Sequence, residues 1–349
     1  LWYSDLNSSY PSSMTSEMPE GEGKHIVFNK PITLQMAGIY DHYLYKATSS
    51  YKGGDKFYIP NLLIKRPDGT NRAMLDTPSA WHWGVELKEA IIAGCEVVAT
   101  ESVYFKSGMT FKEYAESLYA ERLKVKNEYN ADGTKNIHYN KARAEFIKLL
   151  LNSLYGKFGQ NIKFSTITFK NVQEWEEHMS QPHISYRSHE ILKNGYIHCS
   201  FYDKTMDDNS IGQLVRLSSY IAALSRTKLA IIMRRVGYEH IYYCDTDSIF
   251  CDVEPPKDLI DQTKLGFWKK EDFTVKIPKF DDAGEPMLDI YEDQKTTNYS
   301  FDVCAVEADF LAPKCYKYKC RITKLTDSTG DRYVQLEDDE YGLQIPYTF

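Results

Sequence analysis

The sequence predicts an α+β fold whose functional residues lie on an antiparallel sheet. In the first third of the chain, strand-like runs are separated by the turn dipeptides Gly53-Gly54 and Asp68-Gly69. Helical patterns follow over 110–127, 139–155 and 213–236. Two further strand-like runs are joined by an acidic turn at 245–247, which is the pattern of a hairpin.

Apolar and β-branched runs predict strands on both sides of the long helical pattern. The first run is short and ends at Asp5. The predicted strands are 1–4, 25–28, 58–65, 95–100, 241–244 and 248–253. Residues 160–210 are irregular but rich in strand formers, and residues 270–300 form a charged stretch interrupted by Pro and Gly.

Four segments predict helices. A helix over 79–93 ends at Gly94, a residue typical of a helix C-terminus. Asp132-Gly133 separates the next two helices, 110–127 and 139–155, and a short connection of this kind predicts an antiparallel pair. The last helix, 213–236, carries apolar residues on one side and ends at Gly237.

Composition excludes several classes of protein. The 349 residues are 42% hydrophobic, enough for more than one core, and a net charge of −7 excludes a basic nucleic-acid coat. The seven cysteines form no CxxC pair, which favours reduced thiols over a zinc site. The sequence shows neither a membrane span nor a signal peptide. Because the chain starts at Leu1 inside a strand-like run, we expect it to be a piece of a longer protein.

Three aspartates lie where strands end. Asp5 follows the first strand, and Asp245 and Asp247 lie in the turn of the distant hairpin. Strand ends from different parts of a chain can meet in one sheet, and paired carboxylates are the ligands that two catalytic divalent ions require. The alternative is that these residues only solvate turns or form Asx-turns.

One face of the helix over 139–155 is polar. Lys141, Lys148, Asn152 and Tyr155 are separated by seven, four and three residues, so they share that face. Two ammonium groups, an amide and a phenol make a poor core stripe but suit a triphosphate and a base.

Three runs in order along the chain strengthen this interpretation. They are D-L-N-S-S-Y-P-S-S-M from Asp5, K-L-L-L-N-S-L-Y-G from Lys148, and Y-C-D-T-D-S from Tyr243. They resemble motifs A, B and C of the family B DNA polymerases, above all the protein-primed branch of phages, linear plasmids, organelles and viruses. Further similar runs are N-S-L-Y-G-K-F, K-L-G-F-W from Lys264, and Lys314-Cys315-Tyr316, which resembles a K-x-Y motif.

The resemblance implies a right-hand polymerase with an antiparallel palm sheet, two-helix fingers, two insertions, and a thumb that is missing or reduced. The implied parts are palm 1–24, a first terminal-protein-like insertion 25–109, fingers 110–160, a second such insertion 161–210, palm 211–330, and a palm end or thumb remnant 331–349. No segment resembles the family's proofreading exonuclease.

The resemblance also implies roles for individual residues. Asp5, Asp245 and Asp247 are catalytic, and Asp5, Leu6 and Asp247 hold two Mg²⁺ ions, for which Mn²⁺ can substitute. The implied nucleotide-binding residues are Tyr10, Arg122, Lys141, Lys148, Asn152 and Tyr155. The implied primer and template contacts are Ser153, Gly156, Arg226, Thr246, Lys314 and Tyr316. Ala222 stands where the family's T-x-x-A-R motif has its threonine, which removes that hydroxyl contact.

Several of these roles have plainer alternatives. Tyr10 is either a steric gate against ribonucleotides or an ordinary core tyrosine beside Pro11. Arg122 either binds the triphosphate or pairs with Glu121 or Glu128 on the surface. Lys314 and Tyr316 either face the primer end or form the polar side of an alternating strand.

The function expected from the resemblance is DNA-directed DNA synthesis, replicative in a phage, plasmid or virus-like element. A template-dependent RNA-type polymerase and a non-catalytic DNA-binding remnant are the alternatives. Expected partners are template and primer DNA, dNTPs, a terminal priming protein, and a separate exonuclease or thumb-bearing segment, with no membrane. The expected location is the cytoplasm, or an organelle, and the primer type stays open.

Overall fold

A computed structural model describes most of the chain. The described residues are 2–54, 56–67, 70–129, 134–159, 164–205, 214–270, 273–278, 296–312, 315–326, 333–334 and 343–345. The chain divides into two compact units, Leu1–Leu151 with Tyr220–Phe349, and Asn152–Ser219.

Helices and antiparallel strands are interspersed along the described residues, and both element types occur as the sequence predicts. The helices are α1 Ser9–Ser13, α2 Gly84–Ile92, α3 Lys112–Val125, α4 Lys141–Phe158, α5 Val172–Met179 and α6 Val215–Val236. The strands up to the end of the second unit are β1 Trp2–Leu6, β2 Pro19–Thr33, β3 Tyr43–Tyr51, β4 Leu63–Lys65, β5 Asn71–Ala73, β6 Thr77–Trp83, β7 Cys95–Ser107, β8 Phe164–Phe169, β9 Ile184–Ile191 and β10 Ile197–Asp203. The remaining strands are β11 Ile241–Asp245, β12 Ser248–Cys251, β13 Trp268–Lys270, β14 Phe273–Pro278, β15 Thr296–Ala312, β16 Cys315–Thr326, β17 Tyr333–Val334 and β18 Leu343–Ile345.

The central sheet, which we define as β11-β12-β1-β13, joins the start of the sequence to residues 241–270. The hairpin strands β11 and β12 pair antiparallel, and β1 pairs antiparallel with both β12 and β13. Because side chains alternate along a strand, this register divides the sheet residues between two faces.

One face of the central sheet is buried. Leu6, Ile249 and Trp268 form a core there with Ile232 and Met233 of α6. This core explains why α6 is amphipathic. Because one face of the sheet is covered by α6, the side chains that can take part in a reaction are those of the opposite face. On the other face Tyr3 stacks on Phe250, with ring centroids 4.4 Å apart.

Helices α3 and the first part of α4 form an antiparallel pair. Tyr119, Val125, Ala144, Ile147 and Leu151 make their shared core. The Tyr114 hydroxyl donates to the Leu150 carbonyl at 3.0 Å, and Asn140 caps α4 by accepting from the Arg143 N–H at 2.9 Å. Two helices with this pairing are what the sequence predicts.

A four-stranded sheet, β2-β7-β3-β6, follows motif A and packs against α2. Here two predictions were wrong in part. The predicted helix 79–93 begins only at Gly84, because residues 77–83 pair with β3 as strand β6. The predicted strand 58–65 is reduced to Leu63–Lys65, because Tyr58 and Leu62 turn into the core and the Asn61 amide donates to the Glu86 carbonyl at 3.0 Å.

The second unit is more regular than the sequence suggests. Strands β8, β10 and β9 form an antiparallel sheet, and Trp175 and Met179 of α5 pack on it. Asn171 caps α5 by accepting from the Glu174 N–H at 2.9 Å. The prediction of irregular structure over 160–210 was therefore wrong for its described residues.

The C-terminal strands pair among themselves. Strands β14, β15, β16 and β17 are consecutive neighbours, and β18 pairs with β16. Residues 279–295 of the predicted charged stretch lie outside the described residues. Within the described residues, the structure contains no helix long and apolar enough to cross a membrane.

Candidate active site

The central sheet places two of the predicted carboxylates in one row. Asp245 pairs with Ser248, Ser248 pairs with Asp5, and Asp5 pairs with Lys269. Directly opposed residues of antiparallel strands project from the same face, so all four belong to the face that is not packed on α6. We call Asp245, Ser248, Asp5 and Lys269 the row. With neighbouring strands about 4.8 Å apart, Asp5 and Asp245 are separated by about 10 Å along the backbone row.

Asp247 lies closer to motif A than Asp245 does. The Leu6 N–H donates to the Asp247 carbonyl at 2.7 Å. In antiparallel pairing the N–H and C=O of one residue point to the same neighbour, so the Leu6 carbonyl is directed toward the turn as well. The structure thus brings Asp5, Leu6 and Asp247 together across one strand gap, with Asp245 on the far side of Ser248.

The acidic turn has an unusual backbone. Thr246 has φ 41°, the left-handed region that a β-branched residue rarely adopts. Its hydroxyl donates to Asp245 Oδ1 at 3.0 Å, and the Ser248 hydroxyl donates to the Asp245 carbonyl at 3.2 Å. These contacts orient Asp245 and explain why small hydroxyl residues flank the two aspartates.

Motif A is held by the loop that follows the hairpin. The Asn7 amide donates to the carbonyls of Asp261 and Lys264 at 2.9 and 3.2 Å, and the Asn7 N–H donates to the Phe267 carbonyl at 2.9 Å. Gly266 has φ 78°, and a Cβ there would lie 2.9 Å from that of Ser12. The glycine of the K-L-G-F-W run therefore allows this loop to pack closely against motif A.

After Asn7 the chain turns into a short helix that carries Tyr10. Ser8 has φ 54°, and α1 begins at the next residue. Pro11 and Ser12 are buried, whereas Tyr10 is half-buried, which leaves both the gate and the core alternatives open for this ring.

A lysine lies beneath α1. Lys228 of α6 donates to the Ser12 hydroxyl at 2.7 Å. Burial lowers the pKa of Lys228 to about 8. Ser9 and Ser225 form a second hydroxyl contact between α1 and α6, at 2.5 Å. Both contacts fix the helix that presents Tyr10.

Arg122 on α3 does not share the ion pair that the adjacent Glu121 forms. Glu121 binds Arg143 instead, and the buried Nε of Arg122 has no hydrogen-bond partner among the described residues. The surface ion pair with Glu121, one of the alternatives for Arg122, is therefore not formed. Tyr119, one turn earlier, donates to the Thr263 carbonyl at 2.9 Å and so ties α3 to the loop beneath motif A.

The polar face of α4 is retained in the structure. Lys141, Lys148 and Asn152 are exposed, and Tyr155 is half-buried. Lys148 lies 3.9 Å from Glu145, a weak exposed pair that leaves its charge available. Ser153 and Gly156 lie in the last turns of the same helix, and a Cβ at Gly156 would meet open space.

Arg226 has a structural partner that the sequence did not reveal. Its Nε donates to Glu86 of α2 at 2.8 Å, and Glu86 is only 3% exposed. Arg234 makes a parallel contact with Glu89 at 3.0 Å. These pairs attach α2 to α6, so a role of Arg226 in DNA contact stays a prediction. The spacing of Glu86 and Glu89, three residues apart on one helix, was the feature of the sequence from which these ion pairs could have been predicted.

Of the two K-x-Y residues, only Tyr316 belongs to the described part of the chain. Lys314 lies outside the described residues, and Tyr316 lies in β16 opposite Phe310 of β15. Their predicted contact with the primer end stays a prediction.

The residues present fit a pair of magnesium ions. Asp5, Asp247 and the Leu6 carbonyl supply hard oxygens, and the Asp5 carboxylate already has a cation, Lys269 Nζ, at 3.5 Å. Within the described residues, no group of three or more acidic, His or Cys side chains is converged as a ready-made site. Nucleotide phosphates, which supply magnesium ligands in such sites, would complete the coordination.

Comparison with known proteins decides the family. The sequence profile described as DNA polymerase type B, organellar and viral, matches residues 1–232, about two thirds of the chain. The chain belongs to the organellar and viral type B DNA polymerases. It is 28% identical to a probable DNA polymerase of Neurospora intermedia over 281 residues, which are 76% of this chain and 26% of that protein.

Phage relatives agree with this placement. The DNA polymerase of Bacillus phage Nf is 26% identical over 328 residues, 92% of this chain and 49% of that protein. The fold matches that of phi29 DNA polymerase, solved with primer-template DNA, at a TM-score of 0.56 and 21% identity over 96% of this chain and 48% of that one. The chain thus spans about a quarter of the fungal relative and about half of the phage relatives.

Proposed function

We propose that this type B polymerase chain catalyses DNA-directed DNA synthesis, adding dNMPs to a 3′-hydroxyl by two-metal nucleotidyl transfer. The observation that supports this most strongly is the register of the central sheet, which aligns Asp5 of motif A with Asp245 of motif C across Ser248. A non-catalytic remnant has no physical need for this alignment of carboxylates on the sheet face away from α6.

The proposed parts are those that the resemblance implies. The central sheet with α6 is the palm, and the α3–α4 pair belongs to the fingers. We assign the sheet β2-β7-β3-β6 to the first insertion, and the sheet of the second unit to the second insertion. The absence or reduction of a thumb stays a prediction.

In this mechanism the protein supplies ligands and position. Asp5, Asp247 and the Leu6 carbonyl would hold two Mg²⁺ ions, which would activate the 3′-hydroxyl and offset the charge of the triphosphate. Lys148 and Arg122 bind phosphate oxygens, with Lys141 and Asn152 on the same helix face, and Tyr155 stacks beneath the incoming base. Tyr10 packs under the sugar.

The proposed partners are template and primer DNA and dNTPs. Ser153, Gly156, Arg226, Thr246, Lys314 and Tyr316 are the proposed DNA contacts. Priming by a terminal protein is consistent with the phage and plasmid branch, as is a cytoplasmic or organellar location. Proofreading and a thumb would come from a separate segment.

The first prediction concerns the metal ligands. Asp247→Asn replaces a charged oxygen by a neutral amide of the same shape, and charge stabilisation by metal ions is worth several kcal/mol. We expect primer extension with Mg²⁺ to fall at least about a hundredfold while DNA binding is nearly retained. Asp245→Asn should have a smaller effect because Ser248 separates Asp245 from motif A.

The matched control is Asp252→Asn in the same hairpin. Asp252 accepts from Tyr242 at 3.0 Å and bonds His240 at 2.8 Å at the surface, away from the row. Extension by this variant should stay near the wild-type rate. Wild-type extension by Asp247→Asn would contradict the two-metal assignment.

The second prediction concerns Arg122. Arg122→Ala removes a guanidinium whose buried Nε has no hydrogen-bond partner among the described residues, so we expect the KM for dNTP to rise and kcat to fall together. Arg143→Ala on the same helix pair is the control, because Arg143 is bound to Glu121 and 61% exposed. If steady-state kinetics of both variants match wild type, Arg122 is a surface residue.

The third prediction concerns sugar selection by Tyr10. If its ring is the floor of the sugar pocket, Tyr10→Val relieves a clash with a 2′-hydroxyl and raises ribonucleotide incorporation relative to deoxynucleotides. Each tenfold change in this ratio corresponds to about 1.4 kcal/mol. The core alternative predicts a lower melting temperature and an unchanged ratio. Single-nucleotide incorporation kinetics and thermal unfolding of the same preparation separate the two.

A further inference from the structure

The fourth member of the row, Lys269, is not among the residues that the sequence singled out. It pairs with Asp5 across β1 and β13, so its side chain projects from the same face as Asp5, Ser248 and Asp245. Its Nζ lies 3.5 Å from Asp5 Oδ2, and the two side chains are 27% and 28% exposed. The ammonium group therefore lies at the carboxylate that motif A offers to a metal ion.

Lys269 also lies near the cation proposed for the triphosphate. Burial raises the pKa of the Tyr119 phenol, and the positive charges of Arg122 and Lys269 both act in the opposite direction. Since a charge acts on a titrating group over short distances, both cations lie near the Tyr119 ring. Arg122 comes from α3 and Lys269 from β13, so two different elements contribute positive charge near the Tyr119 phenol.

The position of the Lys269 side chain follows from the alternation of side chains along β13, as the neighbouring Lys270 shows. Lys270 pairs with Ser4 and lies over the Trp2 ring, 5.0 Å from its centroid, on the opposite face. Trp268, on the other side of Lys269, is buried in the core beneath the sheet. Of these three consecutive residues, Lys269 alone belongs to the face of the catalytic row.

Building on the proposed polymerase function, we propose that Lys269 is a nucleotide-binding residue that exchanges partners during binding, from the Asp5 carboxylate to a triphosphate oxygen. A divalent ion and the ammonium group compete for the same oxygens of Asp5. An ion on Asp5 repels the ammonium group, which is then left beside Arg122 where phosphate oxygens enter. Metal and nucleotide therefore favour each other's binding through Lys269.

A purely structural ion pair makes different predictions. A cross-strand ion pair near the surface contributes little to stability. In that case, loss of Lys269 would lower the melting temperature slightly and leave the affinities for metal and nucleotide unchanged. Metal and nucleotide are coupled in any case because the ions also coordinate the triphosphate, so the property specific to partner exchange is the part of this reciprocal coupling that is lost when Lys269 is removed.

The test measures binding as well as activity. Mn²⁺ is titrated by electron paramagnetic resonance into the chain with a dideoxy-terminated primer-template, with and without the matching dNTP, for wild type, Lys269→Met and Lys270→Met. Methionine keeps the apolar stem and removes the charge. For Lys269→Met we expect Mn²⁺ to bind about tenfold more tightly without nucleotide, and dNTP about tenfold more weakly, each corresponding to about 1.4 kcal/mol.

The same titration provides the control variants and the result that would contradict the proposal. Lys270→Met should match wild type within twofold, and Lys269→Arg should restore nucleotide affinity. If Lys269→Met leaves either the Mn²⁺ affinity or the dNTP affinity within twofold of wild type, the exchange is wrong. Failure of the wild-type chain to extend a primer would instead count against the proposed function.

Discussion

The antiparallel pairing of β1 between β12 and β13 is the constraint on which the active site depends. Asp5 comes from the start of the chain, and the acidic turn comes about 240 residues later, so only this pairing brings them together. The register is itself determined by burial, since a slip of one residue would exchange Leu6 with Asp5 and place a carboxylate against Ile232 and Met233. The hydrophobic core beneath the sheet thus selects the face on which the carboxylates lie.

A second layer of contacts holds motif A rigid on that sheet. Asn7 binds the loop 261–267 through its side chain and backbone, and the Tyr119 hydroxyl binds the same loop from α3. Gly266 permits the close approach of this loop to Ser12. A displacement of α3 would therefore be transmitted to the residues that carry Asp5 and Tyr10. Under the proposed function, this is a physical route from the proposed nucleotide site to the proposed metal ligands.

The sequence was sufficient for the parts of the site whose signals are local. The hairpin 241–253, the helix pair and the long α6 could be predicted, because periodicity, turn residues and caps act over a few residues. Residues 79–83 were misassigned because the pairing of β6 with β3 is a long-range contact that overrides the helical pattern. Lys269 was missed for the same reason, since its importance depends on which residue it faces across the sheet.

Crystallographic location of the metal ions tests the central claim most directly. The chain would be crystallised with Mn²⁺, a dideoxy-terminated primer-template and the matching dNTP, and anomalous scattering would locate the ions. The account predicts anomalous peaks between Asp5, the Leu6 carbonyl and Asp247, on the face of the central sheet away from α6. Ions bound only elsewhere, with Asp5 and Asp247 making no contact to either, would contradict it.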